Sequence, residues 1–351
     1  MSWGVAVQRT ARDFSLFLGA LAVALLAGEL VSRVVGLDRR LTLPCLRFQG
    51  ADLTVHQISN DPFLHYELKP GSRFDLSSYH VTIDASGARL PTHPAVKAPG
   101  VFRVLCFGGS TMYGANVGDD QTIAARFEAR LNQEAGQGAA PRFEAWNFGT
   151  SAYTMGQVTH LARTKLDTLS PDLIVIQMHN RAQRAFLLPE DQNPRSYPWD
   201  RFPKDPVVFR EYFSVPPELP PALVDAGIVH SSLFRALVAA THRFVEPGPA
   251  GWAYADEVSS QEAAALSQAA EARGVPVVFV TLPPERDQST QGADKVFPGL
   301  AKDRYLNVYQ QGREPAFFEI HPPAAILDEW AGLLIQGLRG LALLPAAPKT
   351  P

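Results

Sequence analysis

Short apolar runs alternate with segments of helical spacing from residue 102 to residue 344, and nothing else in the chain restricts its fold as much. Phe102–Phe107, Phe143–Asn147, Leu173–Met178 and Val275–Leu282 read as strands, with Tyr305–Tyr309 as a fifth. Gln121–Glu134, Met155–Leu169, Val258–Arg273 and Ala324–Leu344 carry apolar residues at the spacing of helices. Strands that alternate with helices make βαβ units. Such units form a parallel sheet covered by helices on both faces. The chain has 351 residues, 46% of them hydrophobic, so a core of that size is available.

Composition excludes some functions. The formal net charge is −3, from 32 Lys and Arg against 35 Asp and Glu, and no long basic run occurs. A nucleic-acid partner therefore has no electrostatic footprint. Cys45 and Cys106 form neither a metal-ligand spacing nor a disulfide framework. Cys106 lies inside an apolar run and reads as a small buried hydrophobe.

The N-terminus carries an uncharged stretch of 15 residues, Phe14–Gly28, interrupted by Glu29 and continued to Leu37. Arginines lie on both sides, so charge does not settle an orientation. No small-x-small cleavage site follows the apolar run. The expectation is an uncleaved anchor in segment 1–40, with secretion after signal cleavage as the alternative. Residues 41–98 are a lead-in with short strands and turn signals at Pro70-Gly71 and Ser86-Gly87. The third segment, 99–346, holds the alternating core. Within it, an insert at about 186–250 breaks the pattern: nine prolines fall between Pro189 and Pro221, among Trp199, Phe202, Phe209, Tyr212 and Phe213. Proline at that density opposes regular helix and central strand. The insert reads as an ordered surface excursion followed by a helix at Ser232–His242, with rings suited to sugar faces.

The strand ends carry the chemistry. "VLCFGGSTMYG", Val104–Gly114, ends an apolar run on two glycines and two hydroxyls. It lacks the lysine of a phosphate-binding loop and the spacing of a dinucleotide fingerprint. In a doubly wound sheet the loops after the strands meet at one crevice. Those loops hold Ser110, "NFGTS" at Asn147–Ser151 and "QMHNR" at Gln177–Arg181. They offer a nucleophilic hydroxyl with donors for an oxyanion. "EIHPP" at 319–323 offers a base just before the final helix.

Taken together, these blocks resemble the SGNH (GDSL-like) hydrolases, in particular membrane-anchored bacterial members, over roughly residues 60–350. The resemblance places the nucleophile at Ser110, the glycine block at Gly149, the asparagine at Asn180 and the histidine at His321. It implies a three-layer α/β/α sandwich with a flavodoxin-like parallel sheet, preceded by the membrane-anchor helix. It further implies acyl transfer through Ser110, with the Ser110 and Gly149 N–H groups and the Asn180 amide around the oxyanion. No organic cofactor or metal is needed. The expected setting is a single-pass bacterial inner-membrane protein with a periplasmic catalytic domain. The expected substrates are a small ester or O-acyl groups of an envelope or exported polysaccharide. Hydrolysis and transfer to a sugar use the same residues. Three departures stand out. The third block reads Met178-His179-Asn180-Arg181, Ala152 stands near a second glycine position, and Phe318 occupies the place of the triad acid. Glu319, two residues before His321, is the nearest carboxylate in sequence. A catalytically inactive scaffold of a polysaccharide assembly is the reading from a different class.

Overall fold

The computed structural model describes residues 3–49, 53–136, 140–179, 184–198, 204–213, 215, 219–242, 249–282, 304–308 and 321–345. The helices are α1 (Trp3–Val35), α2 (Leu37–Thr42), α3 (Ser110–Tyr113), α4 (Ile123–Ala135), α5 (Met155–Leu169), α6 (Pro206–Tyr212), α7 (Pro221–His230), α8 (Ser232–His242), α9 (Pro249–Glu271) and α10 (Ala324–Gly340). The strands are β1 (Phe48–Gln49), β2 (His56–Ile58), β3 (Tyr66–Leu68), β4 (Arg73–Asp75), β5 (His80–Thr82), β6 (Val101–Phe107), β7 (Arg142–Asn147), β8 (Leu173–Met178), β9 (Phe186–Leu187), β10 (Val277–Thr281) and β11 (Tyr305–Asn307). The chain divides into two units. Unit one is Met1–Arg47 with Asn193–Gly251, and unit two is Phe48–Gln192 with Trp252–Pro351.

Unit two is built on a five-stranded, wholly parallel sheet in the order β11-β10-β8-β6-β7. Counted by first appearance, this is the fifth, fourth, third, first and second core strand, the flavodoxin-like order. Successive side chains of a strand point to opposite faces, and here both faces are buried. Leu105, Phe107, Trp146, Ile174, Ile176, Val277 and Phe279 pack on one side with α5 and with Ala263, Leu266 and Ala270 of α9. Val104, Cys106, Phe143, Ala145, Leu173, Val175, Val278 and Val280 pack on the other with α4 and α10. The result is the expected α/β/α sandwich. Helix α5 begins where its sequence says it should: Thr154 and Gln157 form a reciprocal capping box. The lead-in adds two antiparallel hairpins, β2–β3 and β4–β5.

Unit one joins α1 and α2 to the helices of the insert. Glu29, the one acid inside the apolar stretch, accepts hydrogen bonds from Ser231 Oγ and from the Ser232 and Leu233 N–H groups. It thereby satisfies the orphan donors at the start of α8. Ser32 and Ser232 hydroxyls pair at 2.9 Å, and Asp38 binds the buried Arg235 guanidinium at 2.7 and 3.0 Å. Prolines do not exclude helix from the insert, contrary to expectation. Pro206 and Pro221 stand in the first turns of α6 and α7, where a missing N–H costs nothing. Nor do the described rings of the insert offer a platform: Tyr197, Phe209, Tyr212 and Phe213 are all buried. Trp199 and Phe202 lie outside the described residues. Among the described residues, the stretch Arg12–Val35 is long and apolar enough to cross a membrane, with a mean hydropathy of 2.2, a property that signal sequences share.

In unit two, His160 on α5 sits between Asp61 Oδ2 at 2.8 Å and Glu262 Oε2 at 3.2 Å, with Arg163 on the same Glu262 oxygen. Burial opposes its charge, but the bonds to the two carboxylates outweigh burial and raise its pKa. Burial, the largest single effect, pulls the Asp61 and Glu262 pKa values up; His160, helped by the Phe63 and Leu64 N–H groups at Asp61 and by Arg163 at Glu262, outweighs it in sum and brings both down. A raised imidazole stabilises the fold while protonated, and that contribution fades as pH rises through its folded value. Lowered carboxylates stabilise while ionised and lose this as pH falls through theirs. The contribution of this cluster should therefore be largest between the ordinary carboxylate and imidazole ranges, about pH 4 to 6.5. In thermal melts the wild type is expected to lose Tm above that window, and His160→Ala is expected to lack this part of the decline.

Candidate active site

Strand β6 ends at Phe107, two glycines follow, and Ser110 is the first residue of α3. The glycines supply room. A Cβ at Gly108 would lie 2.5 Å from Gln177 Oε1, and one at Gly109 would lie 3.2 Å from His179 Nε2. The ends of the first and third core strands are thus pressed together at the switch point of the sheet, where an open α/β fold places its ligand crevice. Helix α3 is only four residues long, far too short to hold itself. It is held by its neighbours. Gln177 Oε1 accepts from the Met112 N–H at 2.9 Å, and Asn147 Nδ2 donates to the Met112 carbonyl at 2.9 Å.

The other end of the helix is held from the lead-in. Arg89, fully buried, donates from Nη1 to the Tyr113 and Gly114 carbonyls at 2.7 and 2.6 Å, and from Nη2 to Val117 O at 2.5 Å. Its Nε meets Asp119 Oδ1 at 2.9 Å. These are the orphan carbonyls after a helix, with the negative end of its dipole. Ser110, half-buried, is thereby fixed between a strand end and a cationic clamp.

Gly149 lies in the loop after β7, where its N–H is engaged rather than free: it donates to Asn147 Oδ1 at 2.9 Å. Its lack of a side chain is what matters: a Cβ would stand 2.2 Å from the Tyr113 nitrogen. Three residues on, Ala152 adopts φ +61°, a left-handed conformation that disfavours a side chain. No hydrogen bond among the described residues takes up its N–H. His179 follows β8, against Gly109. Asn180, Arg181, Phe318 and Glu319 lie outside the described residues. His321 is half-buried, on the bend that enters α10, with Pro323 as N-cap. Leu327, Trp330 and Leu334 bury α10 against the sheet, and Arg130 of α4 holds Asp328 at 2.6 Å. Sequence reasoning missed Arg89, Asn147 and Gln177. Each is a polar residue in or beside an apolar segment, and that was the available signal.

No family model and no curated protein matches the chain. Solved structures do. The chain resembles SGNH-type hydrolases in its fold. The crystal structure of TesA shares 16% identity, over 68% of this chain and 99% of its own, with a TM-score of 0.38. A putative acylhydrolase from Bacteroides fragilis shares 14% identity, over 69% and 88%, with a TM-score of 0.35. AlinE4, an SGNH-hydrolase family esterase, shares 14% identity, over 71% and 100%, with a TM-score of 0.32.

Gly149→Ala forces a methyl into backbone that cannot rotate away. It should lower stability by about 1–3 kcal/mol and shift the serine turn, with Tm reduced. Arg89→Met should cost about 3–5 kcal/mol, as expected when one partner of a buried ion pair is removed. Denaturant unfolding measures both.

Proposed function

We propose that the chain is a membrane-anchored serine acyl hydrolase or acyltransferase. The observation that carries this reading is the placement of Ser110. It opens a clamped helix at the sheet's switch point, beside the loop that continues to Asn180. His321 takes the Ser110 proton as Oγ attacks an ester carbonyl, and returns it to the leaving oxygen. The Ser110 and Ala152 N–H groups and the Asn180 amide receive the oxyanion. Ala152 takes the part first expected of Gly149, whose N–H is held by Asn147. Water, or a sugar hydroxyl, then releases the acyl group from Ser110. Acyl groups of an envelope or exported polysaccharide suit an enzyme tethered outside the cytoplasm. Retention of the anchor is supported by Glu29, Ser32 and Asp38, which are bonded into α8. A cleaved leader has no reason to complete a folded helix cap.

The test is labelling of the full-length protein by a fluorophosphonate, with p-nitrophenyl acetate turnover in parallel. Wild type should label, and Ser110→Ala and His321→Ala should not. Absence of labelling and turnover in the wild type would instead favour the inactive scaffold. Asn180→Ala should lower turnover by roughly 100- to 1,000-fold, as for loss of one oxyanion donor. Glu319→Gln should retain more than about a tenth of turnover, because the spacing suits a Ser110–His321 dyad better than a full triad. A loss of a thousandfold or more in that variant would make Glu319 the triad acid.

A further inference from the structure

We propose that α7 is an interfacial helix, lying in the bilayer surface beside the span of α1 with its outward face covered by lipid. This placement rests on reading α1 as a retained membrane anchor. The level of α7 is set by its end. Arg33 Nη2 donates to the carbonyl of His230, the last residue of α7, at 2.5 Å, and Ser231 Oγ donates to Glu29 at 2.7 Å. Leu233 Cδ2 lies 3.1 Å from where a Gly28 Cβ would stand. Gly28, Glu29 and Arg33 belong to the last part of the apolar stretch Arg12–Val35. A helix rises about 1.5 Å per residue and the hydrocarbon is about 30 Å thick, so about 20 residues cross it. With Phe14 at one boundary, the other falls near Arg33. The junction of α7 and α8 is therefore fastened at the membrane boundary by bonds to the span itself.

Direction and composition agree with that level. Helices α7 and α8 meet at 109°, so they do not continue as one span. Helix α8 is fixed along α2 by Arg235 and Asp38. Helix α7 turns sharply away from it. On α7 and the residues leading into it, Leu219 and Leu223 are 40% and 66% exposed, and Ala222 and Ala226 are exposed beside them. These positions follow the three-to-four spacing of one helix face, and none is charged. The one charged residue of α7, Asp225, is bound to Arg210 at 2.5 Å. The opposite face buries Val224 and Ile228. A helix apolar on both faces needs apolar cover on both. Beside the exposed Leu26, Leu30 and Val34 of α1, the cover that fits is lipid. Glu29 then has a purpose. An acid at the edge of the hydrocarbon is tolerated because the start of α8 and Arg33 surround it.

The test uses the full-length protein in phosphatidylcholine vesicles, with and without brominated acyl chains. Cys45→Ser serves as the background. Cys106 is silent, because it is fully buried and burial pushes its thiol up to about 12. An environment-sensitive fluorophore is placed in turn on Leu25→Cys in α1, on Leu223→Cys and Ala226→Cys in α7, and on Val96→Cys, which is 85% exposed. Labels at 25, 223 and 226 should lose about half or more of their emission to brominated lipid, and aqueous iodide should quench only the label at 96. Lipid quenching at 25 with iodide quenching at 223 and 226 overturns the interfacial helix alone. Iodide quenching at all four positions overturns the anchor reading, and the placement of α7 falls with it.

Discussion

Two side-chain amides on the strands that flank β6 decide where Ser110 stands. Asn147 and Gln177 hold the Met112 peptide from both sides, by its carbonyl and its N–H. A four-residue helix has no stability of its own, so the position of Ser110 is the position that these two bonds impose. Both amides are buried, in a medium where an unmade hydrogen bond costs far more than in water. Asn147 also holds the Gly149 N–H, so one residue orders two of the loops around the crevice. Arg89 completes the arrangement from outside the sandwich. A segment that looks like a preamble to the fold thereby reaches its most sensitive turn.

Much of this was legible in the sequence, for a definite reason. Strands buried on both faces must be apolar throughout, and helices that cover them must be apolar at every third or fourth position. Met155–Leu169 and Leu173–Met178 were read to the residue, the first from its helical spacing and the second from its apolar run. The site was legible only where a residue type carries chemistry of its own. A serine after two glycines and a histidine before two prolines announce themselves. Asn147 and Gln177 do not, since their value lies in where the sheet order puts them, and β6 pairs with β7 and β8 only in three dimensions.

Gly149 and the insert mislead for opposite reasons. At Gly149 a motif glycine suggests a free N–H, whereas the structure shows that N–H bonded to Asn147 and a backbone contact that admits no side chain. In the insert, proline density suggested irregular chain. What matters for proline is its position within a turn, and Pro206 and Pro221 stand where a helix accepts it. The described aromatic residues there, Tyr197, Phe209, Tyr212 and Phe213, are buried.

Ser32 meets a partner 200 positions later in the chain. Synthesis at about 5–20 residues per second puts roughly 10 to 40 s between the two. Over that interval the first half of unit one is made and has nothing to fold against, while unit two can already be assembling from the residues in between. The last stitch to the N-terminal helix thus comes from an insertion in the middle of the sandwich's own sequence.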